Sequence, residues 1–315
     1  MPFQEGNVPE INAPKIFVVI TDFNGYDQTK QCLGALSSSS FRNFQVVVVD
    51  HGTTPETQNG LATEFPACTR LSASPELWWA GAVNVGVRYA LLQGAAAVVL
   101  LNNDCYVEST TLEVIVSEWL GRPDSIIAPI QKDSRSGNIT SIALESCLLF
   151  GFPTRPGSLR MSDDMKAQHL LPANLIGGGR GVIIPARVFK IVGQFDESDL
   201  PHYWADHDFY FRAKSEGVKL YVSTLAFVTI DSTRTTVAND VSKLSLKEFV
   251  RTLVSMRSHR SVAQVSALFR KHYPVSHAYM FGVFLYTARY IGVYAVMRTF
   301  HLLKEVLMKL RRAHD

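Results

Sequence analysis

The sequence predicts an α/β protein in which a mostly parallel sheet is flanked by helices and followed by a basic, amphipathic helical extension. Three observations predict it. Apolar runs such as Phe44–Asp50 (FQVVVVD) and Ala97–Leu101 (AVVLL) alternate with segments of helical spacing, and strands that are apolar without interruption are buried on both faces, as in a parallel sheet. Those runs end in polar clusters. Residues 243–315 hold 13 Lys and Arg against three acidic residues, a net of +10, so against +3 for the whole chain residues 1–242 carry −7.

Along the chain, Ile16–Thr21 is a short β-rich run and Gln28–Leu36 has helical spacing. Phe44–Asp50 is the second strand. Thr53 and Glu56 have capping-box spacing with Pro55 in the first turn, which predicts a helix to Phe65. Thr69–Ser72 reads as a strand, Ala82–Gln93 as a helix and Ala97–Leu101 as a strand. Thr110 and Glu113 form a second capping-box pattern opening a helix to Leu120, and Ile126–Ile130 is a further strand. This βαβ order argues for a parallel sheet with helices on both faces. Ile139–Leu144 and Cys147–Phe152 are expected to form a hairpin, and polar Arg155–Gln168 a surface loop. Val182–Ile184 predicts a strand, Ala186–Val192 and Ala205–Glu216 helices, and Lys219–Val222 and Phe227–Ile230 two strands. Leu244–Arg257, Ser261–Lys271 and Ser276–Arg311 read as helices, giving a body of residues 1–242 and an extension of 243–315.

With 47% hydrophobic and 19% charged residues the chain is neither disordered nor, with 20 Gly and 14 Pro, collagen-like. Its four cysteines are far apart and form no C-x-x-C or zinc spacing, which argues against a disulfide scaffold or zinc finger and for a reducing compartment. Residues 1–15 contain no apolar stretch of the secretory kind. An acidic body with a basic tail is not the pattern of a nucleic-acid binder; it suits a body that handles metal or polar ligands and a tail that seeks an anionic surface. In the last helix, Ala278–Ala288 is uncharged and is ended by Arg289, and Arg298 interrupts the next run. A spanning helix needs about 20 apolar residues, so an interfacial helix with snorkelling Lys304, Lys309, Arg311 and Arg312 is the expectation. A helix packed on the body or in a homodimer interface is the alternative.

Ligands of open parallel sheets bind beyond the carboxyl ends of the strands. Here those ends carry Thr21-Asp22-Phe-Asn24-Gly25, Asp50-His51-Gly52-Thr53 and Asn102-Asn103-Asp104. No G-x-G-x-x-G follows the first strand, which disfavours a dinucleotide site, and no G-x-x-x-x-G-K-[ST] occurs, which excludes a P-loop. Asp50 suits a base N–H or ribose hydroxyls, and Asp104 is a hard oxygen ligand suited to Mg²⁺ or Mn²⁺ bridging a diphosphate; each is equally a turn aspartate capping the next helix. Trp78-Trp79 offers an aromatic wall for a sugar ring or a core contact. Gly177-Gly-Gly-Arg180-Gly offers close backbone approach and a cation for an anion, or a flexible turn.

Read in order, these segments resemble family 2 glycosyltransferases of the GT-A fold. Ile16–Gly25 resembles the family's opening strand, and Val47-Val-Val-Asp50-His-Gly-Thr53 the second, whose Asp contacts the nucleotide. Trp79-Ala-Gly81-Ala-Val-Asn84-Val-Gly86 resembles the segment lining the donor site. Leu100-Leu-Asn102-Asn-Asp104 resembles the D-x-D equivalent, whose last Asp binds the metal. Gly178–Ile184, Gly193–Glu197 and Tyr203-Trp-Ala-Asp206-His-Asp208-Phe-Tyr-Phe-Arg212 resemble the acceptor-side block. The similarity covers about residues 15–232. It departs from the family at Ala205, where a Glu is usual, at Asp231, near the place of a metal-binding His, and at His51, often Asn.

The resemblance implies an inverting, metal-dependent transfer of a sugar from a UDP- or dTDP-sugar to a hydroxyl of a lipid-linked glycan or oligosaccharide. It implies Asp206 as the base, Asp104 on Mn²⁺ or Mg²⁺ with Asp231 either replacing the family's His ligand or leaving that ligand out, and Thr21, Asn24, Asp50, His51, Trp79, Gly81, Asn84, Asn102, Asn103, Arg180 and Asp208 around the nucleotide sugar, with Asp208 alternatively orienting loops or capping its helix. By analogy the protein is rhamnosyltransferase-like, peripheral on the inner face of the cell membrane, and works in surface polysaccharide or O-antigen synthesis. A nucleotidyltransferase making nucleotide sugars, or a catalytically weak scaffold of an assembly complex, is the rival reading.

Overall fold

The computed structural model describes residues 14–158, 160–231 and 241–312. The N-terminal stretch read as lacking a secretory signal lies mostly outside the described residues. In chain order the first half comprises β1 (Ile16–Phe23), α1 (Tyr26–Ser37), β2 (Phe44–Gly52), α2 (Pro55–Glu64), β3 (Thr69–Ser72), α3 (Trp78–Leu92), β4 (Ala97–Asn102), β5 (Cys105–Val107), α4 (Thr111–Leu120) and β6 (Ile126–Asp133). The second half comprises β7 (Ile139–Ser141), β8 (Ala143–Cys147), β9 (Phe152–Ser158), α5 (Asp163–Ala167), β10 (Leu170–Pro172), β11 (Arg180–Pro185), α6 (Ala186–Val192), α7 (Ala205–Ser215), β12 (Leu220–Ile230), α8 (Leu246–Val254), α9 (Val262–His272) and α10 (Tyr279–Arg312).

One sheet runs in the order β10-β12-β6-β11-β4-β1-β2-β3, with β5 on β12 and β7 on β6. The pairs β3–β2, β2–β1 and β1–β4 are parallel, and β11 enters antiparallel between β4 and β6. The unbroken apolar runs are explained by burial on both faces. Phe17 and Val19 enter one core while Ile16, Val18 and Ile20 enter the other, and Val98 and Leu100 oppose Val99 and Leu101 in the same way. Helix α3 lies close on the sheet because Gly86 has no side chain; a Cβ there would stand 2.4 Å from Val19 Cγ1.

Several boundaries differ from the sequence reading for identifiable reasons. Thr54, not Thr53, caps α2: its hydroxyl accepts from Thr57 N, and Pro55 occupies the first turn. Thr110 makes no side-chain cap because it is itself in the helical region (φ −93°, ψ −6°), and the Glu113 carboxylate accepts from the Ser40 hydroxyl instead of reaching back to it. Helix α3 starts four residues before Ala82, at Trp78. The expected hairpin forms one step later, between β8 and β9, while β7 joins the main sheet; β9 and α5 thus occupy much of the stretch read as loop. The two expected late strands are one, β12, whose register shifts between Ser223 and Phe227. Ser223 Oγ accepts from the N–H groups of Leu225 and Ala226 there, which makes a polar kink read as a gap.

The extension is continuous with the body: Val265, Phe269, Val283 and Tyr286 share a core with Phe209 and Tyr210 of α7. Residues Ser276–Lys304 are, by length and composition, long and apolar enough to cross a membrane, because Arg289 and Arg298 are too few to break the apolar character.

Candidate active site

The sheet's geometry brings β1, β2 and β4 to one edge, all pointing the same way, and antiparallel β11 starts there, with Arg180 opposite Leu101. The polar strand ends of the sequence therefore form one cleft. The α7 N-terminus and the Gly177–Gly181 turn approach it.

Asp50 lies two residues before the end of β2 and is fully buried. Its Oδ2 accepts from Thr53 Oγ1 (3.1 Å) and Arg70 Nε (2.9 Å), while Oδ1 is buried with no protein partner. A buried, unfilled carboxylate lone pair is costly unless a ligand satisfies it. His51 beside it is buried, and burial holds its pKa below the ordinary value against the pull of Asp50. Its Nδ1 also has no protein partner, and its ring lies 5.3 Å from that of Phe23.

At the end of β4, Asn102 Oδ1 accepts from Trp79 Nε1 (3.0 Å), and Asn102 N donates to Gly179 O (2.8 Å). Gly179 brings the backbone close to the indole: a Cβ there would stand 3.0 Å from Trp79 Cζ2. Asn103 Nδ2 donates to Thr29 Oγ1 (3.0 Å) and so ties the β4 turn to α1. Burial pushes the Asp104 carboxyl above the usual carboxylate range and the charge of Asp231 adds to this, against the pull of Arg180 and the Cys105 thiol. Asp231 N donates to Asp104 O (2.8 Å), and Asp231 Oδ2 accepts from Gln28 Nε2 (3.0 Å) and Tyr106 OH (3.4 Å). Two carboxylates are thus adjacent with a guanidinium at hand. Among the described residues no group of three His, Cys, Asp or Glu is placed to hold a metal. A hard divalent ion held by one or two carboxylates, with phosphate oxygens and water completing its shell, fits this donor set.

Asp206 opens α7, after Trp204 in the left-handed conformation (φ 71°). Its Oδ2 accepts from Gly178 N (2.7 Å) and its Oδ1 from His207 Nδ1–H (2.9 Å). Burial alone would raise its pKa; His207 and the Gly178 N–H outweigh it and hold the carboxyl below the usual range. Tyr210 OH donates to Gly178 O (3.1 Å) and fixes the turn that delivers that N–H. Arg180 Nη1 donates to Gln131 Oε1 (2.8 Å), and Gln131 Nε2 donates to Gly177 O (2.8 Å).

Of the other expected residues, Asn84, Gly81 and Asp208 also hold elements of the fold together, and Thr21 and Asn24 lie at the β1 end. Asn84 is buried and spends its amide on Phe195 N (3.0 Å), Phe195 O (2.9 Å) and Glu197 Oε2 (2.9 Å), which braces α3 against the turn before α7. Gly81 packs against Leu77 and Glu197 at the same joint. Asp208 accepts from His272 Nε2–H and Arg212 Nε, both at 2.8 Å, and so joins α7 to α9; it makes no side-chain cap on α7. Thr21 is buried at the β1 end, and Asn24 adopts φ 53° in the turn beyond it. Arg70, Gln28 and Gln131 have no motif of their own in the sequence. Arg70 had one signal: it sits on β3 two residues before Ser72, the register partner of Asp50, so both side chains share a face.

The family model described as "Glycosyl transferase family 2" matches residues 17–175, just over half of the 315 residues. The chain belongs to that family. Among solved structures it is similar to GalNAc-T7 with UDP, GalNAc and Mn²⁺ (13% identity, TM-score 0.57, 93% of this chain and 58% of that one). It is also similar to S. aureus TarS (17% identity, TM-score 0.51, 84% of this chain and 44% of that one). Residues 1–349 of TarS in complex with UDP match at 14% identity and TM-score 0.53, covering 87% of this chain and 89% of that one. The chain therefore spans about half the length of the first two, and the likeness establishes a GT-A fold. No curated protein matches the chain in sequence.

Proposed function

We propose that the protein transfers a sugar from a UDP- or dTDP-sugar to a hydroxyl of a lipid-linked glycan, inverting the anomeric centre, with Mn²⁺ or Mg²⁺ held by Asp104 and Asp231. The observation that carries the reading is the pairing, across one cleft, of an unfilled buried acceptor on Asp50 with an ionised carboxylate on Asp206. Asp50 Oδ1 and His51 receive the nucleotide's donors and acceptors. Arg180 stands beside Asp104, where the diphosphate's charge would be met. A bound divalent ion supplies Lewis-acid stabilisation of the departing diphosphate. Asp206, kept ionised by His207 and the Gly178 N–H, takes the proton from the acceptor hydroxyl as it attacks from the opposite face. The missing Glu at position 205 leaves this base in place.

UDP in one relative's structure, and UDP with Mn²⁺ in another, support the donor class and a divalent ion. The basic extension and apolar α10 support a place on the inner face of the cell membrane and an acceptor borne there, as surface polysaccharide or O-antigen synthesis would require; a rhamnosyl donor is the sugar we favour. Incubation with UDP- and dTDP-sugars, metal and membrane extract tests the reading. Nucleotide diphosphate release with incorporation of label into a lipid-extractable product is expected. Release from none of these donors by the folded protein would overturn it.

A further inference from the structure

We infer that α10, α8 and the Leu149–Phe150 tip form one platform that lies in the plane of an anionic lipid surface and does not span it. This rests on the proposed function only for its purpose, the delivery of a membrane-borne acceptor to the cleft.

The first observation is the outward face of α10. From Tyr279 to Leu303, about 37 Å at 1.5 Å per residue, the only charged side chains are Arg289 and Arg298. Both are turned to the body: Arg289 Nη1 donates to Gly151 O (2.9 Å) with its guanidinium 4.0 Å from the Phe152 ring centre, and Arg298 Nη1 donates to Ser242 O (3.1 Å). What remains outward is apolar, with Phe281 at 57%, Phe284 at 64% and Phe300 at 70% exposure, and Ile291, Val296 and Leu303 also exposed.

The second observation is that two other elements packed on α10 carry exposed apolar residues. Gly151 fits against Leu285 and Tyr286 of α10, which sets the exposed Leu149 and Phe150 beside the helix. On the other flank the Phe249 ring of α8 stacks on Tyr294 at 4.1 Å. Helix α8 leaves Leu246, Val250 and Val254 exposed at i, i+4 and i+8, with exposed Lys247 and Arg251 alongside. An apolar stripe bordered by Lys and Arg is the chemistry of an interfacial helix on anionic lipid. It matches the +10 of residues 243–315 against the −7 of the body.

The third observation decides between lying and spanning. The inner face of α10 is engaged by the body from Val283 to Arg298, about 22 Å of helix, most of a hydrocarbon thickness of about 30 Å. A spanning α10 would carry the Ser242 and Gly151 carbonyls, both arginines and α8 into hydrocarbon.

The test uses the full chain and sucrose-loaded vesicles of phosphatidylcholine, with and without phosphatidylglycerol. Sedimentation with the phosphatidylglycerol vesicles and release by alkaline carbonate are expected. Phe281→Glu with Phe284→Glu should weaken vesicle binding about tenfold or more, and Lys247→Glu with Arg251→Glu should abolish the preference for phosphatidylglycerol. UDP binding by each variant, measured on the same preparation, reports folding and separates this surface from the donor site. No sedimentation of a UDP-binding wild type overturns the platform. Resistance to carbonate overturns the in-plane geometry in favour of a span. A dimer dispersed by Phe281→Glu with Phe284→Glu, without vesicle binding, assigns the face to a second copy and overturns it as well.

Discussion

At the scale of single residues, the cleft works by leaving some buried groups satisfied and others open. Asp206 is satisfied as an anion by His207 and the Gly178 N–H, so its folded-state pKa lies below the ordinary value. A depressed carboxyl adds stability that is complete above the unfolded pKa of about 3.9 and is lost as pH falls through the folded one. The same ionisation keeps the base ready through the neutral range. Asp206→Asn is expected to lower transfer by about 10²–10⁴-fold, the usual worth of a general base, with UDP affinity unchanged; a parallel loss of UDP binding would show that Asp206 shapes the donor site. Asp50 differs in that one oxygen is held by Arg70 and the other is open. Arg70→Gln releases the held oxygen and leaves a buried carboxylate short of its cation, at a cost to stability of about 1–3 kcal/mol. The donor KM should rise with little change in kcat, which steady-state kinetics would show.

At the scale of elements, two joints position the cleft. Helix α3 is seated by Gly86, and Gly86→Ala, which would place a methyl against Val19, is expected to cost about 1–3 kcal/mol in urea unfolding. The joint between α3 and the Phe195–Glu197 turn is made by Asn84; Asn84→Ala strands buried partners and should cost a similar amount, about 1–3 kcal/mol, while donor affinity changes less than stability. These joints also show what the chain made legible. The unbroken apolar strands β2 and β4 were readable because burial on both faces leaves no polar alternation, and the order of polar strand ends identified the cleft. Asn84 is legible as a motif position, but Phe195, which its amide bonds 111 residues away, is not. Arg70 was missed because a lone Arg in a short strand has no pattern until β3 is laid beside β2. Asp208 was recognisable as a helix-start carboxylate, but His272, which claims it, belongs to α9 and approaches only in the folded chain.

At the scale of the whole molecule, the body and its extension share one core and carry opposite charge, so the cleft and the basic platform are held in fixed relation. Two histidines in this shared region, His202 and His259, are pushed down to about 4, chiefly by burial, with Arg257 and His51 acting on the first and Arg260 on the second. Below the unfolded value of about 6.5 the unfolded chain binds protons that the folded one refuses, so stability should fall as pH drops from 6.5 toward 4. The slope is up to about 3 kcal/mol per pH unit for the pair, at 1.4 kcal/mol per proton. Urea melts at pH 5 and 6 check this; equal stabilities at the two would contradict it. The central claim, a nucleotide-diphosphate site completed by a divalent ion at Asp104, is tested most directly by calorimetric titration with UDP and dTDP, with and without Mn²⁺. The account predicts metal-dependent binding of one of them, lost in Asp104→Asn. Binding of neither by the folded protein with Mn²⁺ present, or binding that Asp104→Asn leaves intact, would contradict it.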